Sequence, residues 1–142
     1  MKPIVELLRN RPEDIYKIAP EVMVFDGLKL LSDYGVGAIL VMDGDTLAGV
    51  FSERDYTRKV ALQGRNSRET PVSAIMTRDV ITVSPQTRTR ECMALMSQHK
   101  IRHLPLVDNG KVLGMISIRD IMDDIIADHE QTIAQLQTYI TS

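Results

Sequence analysis

Residues 15–56 and 80–121 are two versions of one segment, aligned without a gap at a constant offset of 65. A chain that repeats itself this way must fold as two copies of one supersecondary unit, each too small to bury its own apolar face alone. Both copies close on the same polar signature. The first is Gly49-Val-Phe-Ser52-Glu-Arg54-Asp55 and the second Gly114-Met-Ile-Ser117-Ile-Arg119-Asp120. The shared polar residues cluster there, so the repeat also marks where function should be sought.

Each unit reads β–α–β–β–α. The first strands are Tyr16-Lys-Ile18 and Ile81-Thr-Val83, stopped by Pro20 and Pro85, since proline suits a strand exit or a first helical turn. Val24, Phe25, Leu28 and Leu31 have the spacing of a helix lying on a sheet, as do Cys92, Met93 and Met96 with Leu95 beside them. A hairpin follows in each unit. Ala38–Met42 returns as Leu47–Phe51 through Asp43-Gly44, and Leu104–Val107 returns as Val112–Ile116 through Asp108-Asn109-Gly110. Asp-Gly and Asn-Gly between apolar runs are strong hairpin signals because they tolerate positive φ. The nearly continuous apolar character of these strands implies cover on both faces. The closing helix of unit one runs from Ser52 to about Gly64, and a polar loop, residues 65–70, links the units. The closing helix of unit two keeps helical spacing from Ile118 through Ile133, Leu136 and Ile140, about 23 residues and roughly 35 Å. Its stripe exceeds what its own unit can cover. It is expected to pack on an N-terminal helix (Ile4, Leu7, Leu8), on unit one, or on a second chain.

The signature has a purely structural meaning. Serine at a strand-to-helix junction is a good N-cap, and an acid three residues on completes a capping box. It also has a binding meaning, because a helix N-terminus with a hydroxyl, a carboxylate and a guanidinium can hold a nucleotide. The two are compatible. Gly49 and Gly114 in the preceding strands would permit close backbone approach.

At these residues the chain resembles CBS-domain proteins, in particular a stand-alone pair of CBS motifs. The resemblance rests on the β–α–β–β–α repeat, Ala74-Ile-Met-Thr77, Arg102-His-Leu-Pro-Leu-Val-Asp108, and the twofold Gly-x-x-Ser-x-x-Asp. It implies a mixed α/β (α+β) fold in which two repeats pack about a pseudo-twofold axis, with a short N-terminal and a long C-terminal helix. Residues 1–142 would be one module: repeat 1 at 12–64, repeat 2 at 76–128 and a helical extension at 129–142. It also implies two clefts for adenosine ligands such as AMP, ADP, ATP or NAD. One would set Ser52, Arg54 and Asp55 against Val80, Arg102, His103 and Leu104. The other would set Ser117, Arg119 and Asp120 against Ile15, Gly37, Ala38 and Ile39. Ser and Asp would hold ribose. The arginines, with Lys100, Arg102 and His103, would face phosphate, and the strand starts would read adenine. The sites should be unequal: Lys100, Arg102 and His103 stand where unit one has Gly35, Gly37 and Ala38, and Glu53 replaces Ile118.

Composition narrows the alternatives. With 44% hydrophobic residues and a net charge of −2, the chain is neither disordered nor built around a basic nucleic-acid arm. The sequence lacks a phosphate-binding G-x-x-x-x-G-K-[ST] loop, a triad spacing and a metal-ligand spacing. Gly35-Val-Gly37 is better read as a helix stop than as a dinucleotide fingerprint. His99 and His129 read as surface helix residues, and the lone Cys92 as a buried hydrophobe. No stretch approaches the roughly 18 apolar residues of a membrane-spanning helix. The expectation is a non-enzymatic, cytoplasmic nucleotide sensor without a metal or catalytic cofactor. It would form a homodimer through the C-terminal helix and act on another protein. The alternative is an interaction module whose signatures are caps only.

Overall fold

The computed structural model describes residues 3–8 and 15–141, with the side chains of Val5, Leu8 and residues 139–141 outside the described set. Expectations for Leu8, for the side chain of Ile140 and for a repeat boundary at residue 12 therefore fall outside it. In unit one, β1 (Lys17–Ile18) is followed by α1 (Val24–Tyr34), β2 (Ala38–Asp43), β3 (Thr46–Ser52) and α2 (Glu53–Tyr56), which continues as a π-helical segment, Thr57–Ala61. In unit two, α3 (Thr89–His99), β4 (His103–Asp108), β5 (Lys111–Ser117) and α4 (Ile118–Thr141) follow the same order. Short 3-10 segments, Ile4–Leu8 and Val72–Ala74, precede the two units.

The hairpins match residue for residue. Both shift register at equivalent places, between Val41 and Met42 and between Leu106 and Val107. The turns differ. Asn109 and Gly110 both have positive φ, as a type I′ turn requires, whereas only Gly44 does in unit one. The first strands differ more. β1 pairs in parallel with β2, but unit two keeps only a single bridge, Val83 to Leu106. The sequence predicts a strand over Ile81–Val83. Its loss has a simple cause. The ladder bonds made are Val83 N–H to Pro105 O (3.0 Å) and Val107 N–H to Val83 O (2.8 Å). The next rung would need an N–H from Pro105, which proline lacks. Leu40 occupies that position in unit one.

Strand alternation builds three apolar clusters. Ile39, Val41 and Phe51 pack inward with Val24 and Leu31 of α1. Leu104, Leu106 and Ile116 do the same with Cys92, Met96 and Ile121. The opposite faces, Ala38, Leu40 and Val50 from unit one and Val112 from unit two, form a third cluster that joins the units. The strands are covered on both sides, as their composition requires. Burial pushes the Cys92 thiol up to about 11, with Glu91 adding to the effect, so it is chemically quiet.

The segments between the units are structured. Helix α1 has no side-chain N-cap, and Val24 and Phe25 donate instead to Thr70 O (2.8 Å) and Ser67 O (2.9 Å) of the linker. Val72, Ile75 and Met76, which precede unit two, pack into unit one's core. Reciprocally, Ile4, which precedes unit one, lies in unit two's core and donates its N–H to Thr87 O (2.9 Å). Each unit is clasped by the segment that leads into the other. Thr77 then bridges to Val50 at the edge of β3.

That bridge explains Gly49. A Cβ there would lie 2.5 Å from Thr77 O and 3.0 Å from Met76 Sδ, so the close approach is made by the chain's own linker. Gly49→Ala is expected to cost about 1–3 kcal/mol, read as a lower urea midpoint with an unchanged m-value.

Candidate functional site

Both signatures form real caps. Ser52 ends β3 in extended conformation, and its Oγ accepts the Asp55 N–H at 3.1 Å. Asp55 Oδ2 accepts the Ser52 N–H and O–H, each at 3.0 Å. In unit two, Asp120 Oδ2 accepts the Ser117 N–H at 2.7 Å, and Ser117 Oγ accepts the Asp120 N–H at 3.2 Å. Asp55 Oδ1 also takes the Thr77 hydroxyl at 3.2 Å and the Lys59 ammonium at 3.1 Å, and the residue is only 7% exposed. Four donors fill the roughly four lone-pair positions of a carboxylate. A diol reaching Asp55 must therefore replace one of them; Thr77 is exposed, and Ser52 and Lys59 are half-buried.

Beside this cap lies a cleft of about 610 Å³ between the units, within the range of small-ligand sites. Val80, Ile81, Ile101, Ala38 and Val50 give it apolar walls. Five Lys or Arg side chains (Arg54, Arg58, Lys59, Lys100, Arg102) line it against three acids (Glu53, Asp55, Asp79). The cleft thus carries an excess of positive charge on a chain whose net charge is −2, which favours an anionic ligand. Arg54 spans its mouth, Nη1 donating to Lys100 O of the other unit at 3.2 Å. Lys100 itself caps α3 in the left-handed region at φ 55, where the equivalent residue in unit one is Gly35 at φ 67. A lysine held in a conformation that favours glycine is a local cost that its side chain's place in the cleft would justify.

Of the residues singled out from sequence, Ser52, Arg54, Asp55, Val80, Lys100, Arg102 and His103 come together here. Gly37 and Ala38, expected opposite the other signature, line this same cleft. A Cβ on Gly37 would meet the His103 ring at 3.6 Å. Packing the units about their axis sets the starts of β2 and β4 side by side, so residues of both border this cleft. Ile39 and Leu104 are fully buried in the separate cores, so neither presents its side chain to the cleft. Ile15 lies by the hairpin tips, in a second depression of about 440 Å³ with Lys17 and Lys111. Ser117, Arg119 and Asp120 do not line the first cleft, and the segment leading into unit one, residues 9–14, is outside the described set. Lys59, Thr77, Arg58 and Asp79 were not anticipated. Lys59 had a legible signal, lying four residues after Asp55 on a helix. Thr77 had none, because its contact with Asp55 spans 22 residues. His99, read as a surface residue, is exposed but borders the cleft, and His129 is exposed.

His103 connects the two signatures. It lines the first cleft and is the register partner of Ser117. Burial pushes its pKa below the usual 6.5; Asp120 opposes this and Arg102 adds to it. Among the described residues, no group of three or more His, Cys, Asp or Glu is placed to hold a metal ion. No helix among them is long and apolar enough to cross a membrane.

Comparison with known proteins decides the family. The CBS domain matches twice, at residues 8–62 and 72–127. The chain belongs to the CBS-domain family. The CBS domain-containing protein CBSX3, mitochondrial, of Arabidopsis thaliana is 38% identical over 122 residues, covering 82% of this chain. The chain spans 59% of that relative's length. A structure of a protein with CBS domains from Burkholderia ambifaria superposes with a TM-score of 0.86 at 46% identity, covering 89% of this chain and 96% of that one. The CBS domain protein PAE2072 from Pyrobaculum aerophilum, complexed with AMP, superposes with a TM-score of 0.73 at 28% identity, covering 83% and 88%.

In this CBS pair the depressed pKa of His103 has a defined consequence. The native state prefers the neutral ring. Unfolding therefore takes up a proton once the pH drops below the unfolded value of about 6.5. The stability contribution is full above that pH and is lost as the pH falls through the lower folded value. His103→Ala, which copies Ala38, is expected to flatten the fall in melting temperature between pH 7 and 5 relative to wild type.

Proposed function

We propose that this CBS pair is a non-catalytic adenosine-nucleotide sensor that takes AMP, ADP, ATP or NAD between its units and passes the signal to a regulated protein. The observation that carries this is the cleft itself, with apolar walls for a base and a cationic rim for phosphate, closed at a capped helix start. The AMP complex of the Pyrobaculum aerophilum relative supports it, as does the Burkholderia ambifaria relative, whose name provisionally assigns signal transduction. Base and ribose would lie between Ala38, Val80 and the Ser52–Asp55 cap, displacing Thr77 or Lys59 from the carboxylate. Phosphate would be held by Lys100, Arg102 and His103. Arg54 is the natural transducer, because it cannot hold both Lys100 O and a phosphate in full. Ligand would thus alter a tie between the units, by no more than its difference in affinity for the two arrangements. Glu53 beside Arg54 limits how much negative charge this site favours. Ser117, Arg119 and Asp120 would serve a second, unequal site with Ile15. The partner set includes a second copy of the chain, joined through α4.

A competing reading makes the signatures caps alone, and the saturated Asp55 carboxylate favours it. Titration decides between them. At a hundredfold excess over Kd, AMP, ATP or NAD should stabilise the protein by about 2.7 kcal/mol, a rise of several degrees in Tm. Asp55→Ala with Asp120→Ala should abolish that rise. No shift with any nucleotide, or a shift unchanged in the double variant, would sink the sensor reading. Lys100→Gly should separate stability from binding. Relief of the left-handed lysine is expected to add up to about 1 kcal/mol in denaturant, while affinity for ATP falls several-fold.

A further inference from the structure

Helix α4 carries two apolar stripes, and among the described residues only one is covered within the chain. Ile121 is fully buried, and Ile118 and Ile125 pack at the edge of unit two's core. From Ile126 to Thr138 every side chain is exposed. In the other stripe, Met122, Ile126, Ile133 and Leu136 are 54%, 53%, 54% and 56% exposed.

With His129, these residues are spaced four, three, four and three apart. That is the seven-residue period of a helix–helix seam rather than the 3.6 period of a face lying on a sheet. Ile140 continues the spacing in sequence. At about 100° per residue the seam is turned roughly 70° from the inner stripe, so one helix can serve both. Half of α4 projects beyond its unit, and a free helix of about that length is marginal in water.

The charges bordering the seam choose the partner's direction. Asp123 and Glu130 flank one side of it, and Ile125 and Thr132 flank the other. In an antiparallel pair of identical helices each flank faces its own copy, which would bring the acids together. In a parallel pair each flank faces the opposite one, and no like charges meet.

We infer that α4 forms a parallel two-helix seam with α4 of a second copy, in register at Met122, Ile126, His129, Ile133 and Leu136. The inference presupposes self-association of the chain and adds its geometry. The two His129 rings would face each other, and a polar layer in such a seam fixes register at a cost in stability.

Sedimentation of the full chain over a hundredfold range of concentration is the test. A concentration-dependent dimer is expected. Ile133→Asp with Leu136→Asp should weaken it at least tenfold, and His129→Leu should tighten it several-fold. In a Cys92→Ala background, Ile126→Cys and, separately, Leu136→Cys should each give an intermolecular disulfide on mild oxidation, because two equivalent positions ten residues apart both meet their own copies only in the parallel pair. Circular dichroism and the melting temperature confirm that each variant is folded. A monomeric mass throughout overturns both self-association and the seam. A dimer that ignores the aspartates, or one in which Ile126→Cys or Leu136→Cys does not cross-link, leaves self-association standing and overturns the parallel seam.

Discussion

The packing of one hairpin on the other is the interaction on which everything else depends. A two-residue alternation gives each strand two apolar faces, one for its own helix and one for the other unit. Ala38, Leu40 and Val50 meet Val112 in a cluster that belongs to neither unit alone. Without it each hairpin would expose an apolar sheet face. With it, the starts of β2 and β4 are set side by side, and a cleft opens where the signature of one unit faces the strand start of the other. The reciprocal clasp, Ile4 in unit two's core and Val72 in unit one's, reinforces the same interface from outside.

The cleft shows how a structural motif and a binding motif share residues. Ser52 and Asp55 satisfy the first amides of α2, and that cap is complete without a ligand. What lies around the cap goes beyond capping: Arg54 reaches to Lys100 O, Lys100 adopts a left-handed backbone, and positive charge gathers on a weakly acidic protein. None of these helps to start a helix. Arg54 and Lys100 come from different units, so their contact reports the arrangement of the units. Such a contact is well suited to carry a signal.

Much of the fold was legible because its determinants are local. Asp-Gly and Asn-Gly marked the hairpins, Gly35 ended α1 with positive φ as read, and the spacing from Ile118 onward foretold a helix far longer than its unit. The missing first strand of unit two was legible in principle, since Pro105 removes one donor, but only once the ladder's direction is known. Half of the candidate site was equally legible. Lys59 could have been found by its spacing from Asp55, whereas Thr77 could not, and that Gly37 and Ala38 also border the Ser52–Asp55 cleft was not legible, because pseudosymmetry brings both strand starts to one axis only in the folded pair.

The sequence by itself determined the repeat, the order of elements, the capped junctions and the residues that carry charge, because each depends on neighbours within a few positions along the chain. Tertiary structure alone decided that Asp55 is saturated, that Arg54 ties the units, that Gly49 accommodates the linker, and that Gly37 and Ala38 border the same cleft as Ser52 and Asp55. Those properties arise from long-range contacts made when two apolar sheet faces are buried against each other, and no local pattern of residues encodes which atoms then meet.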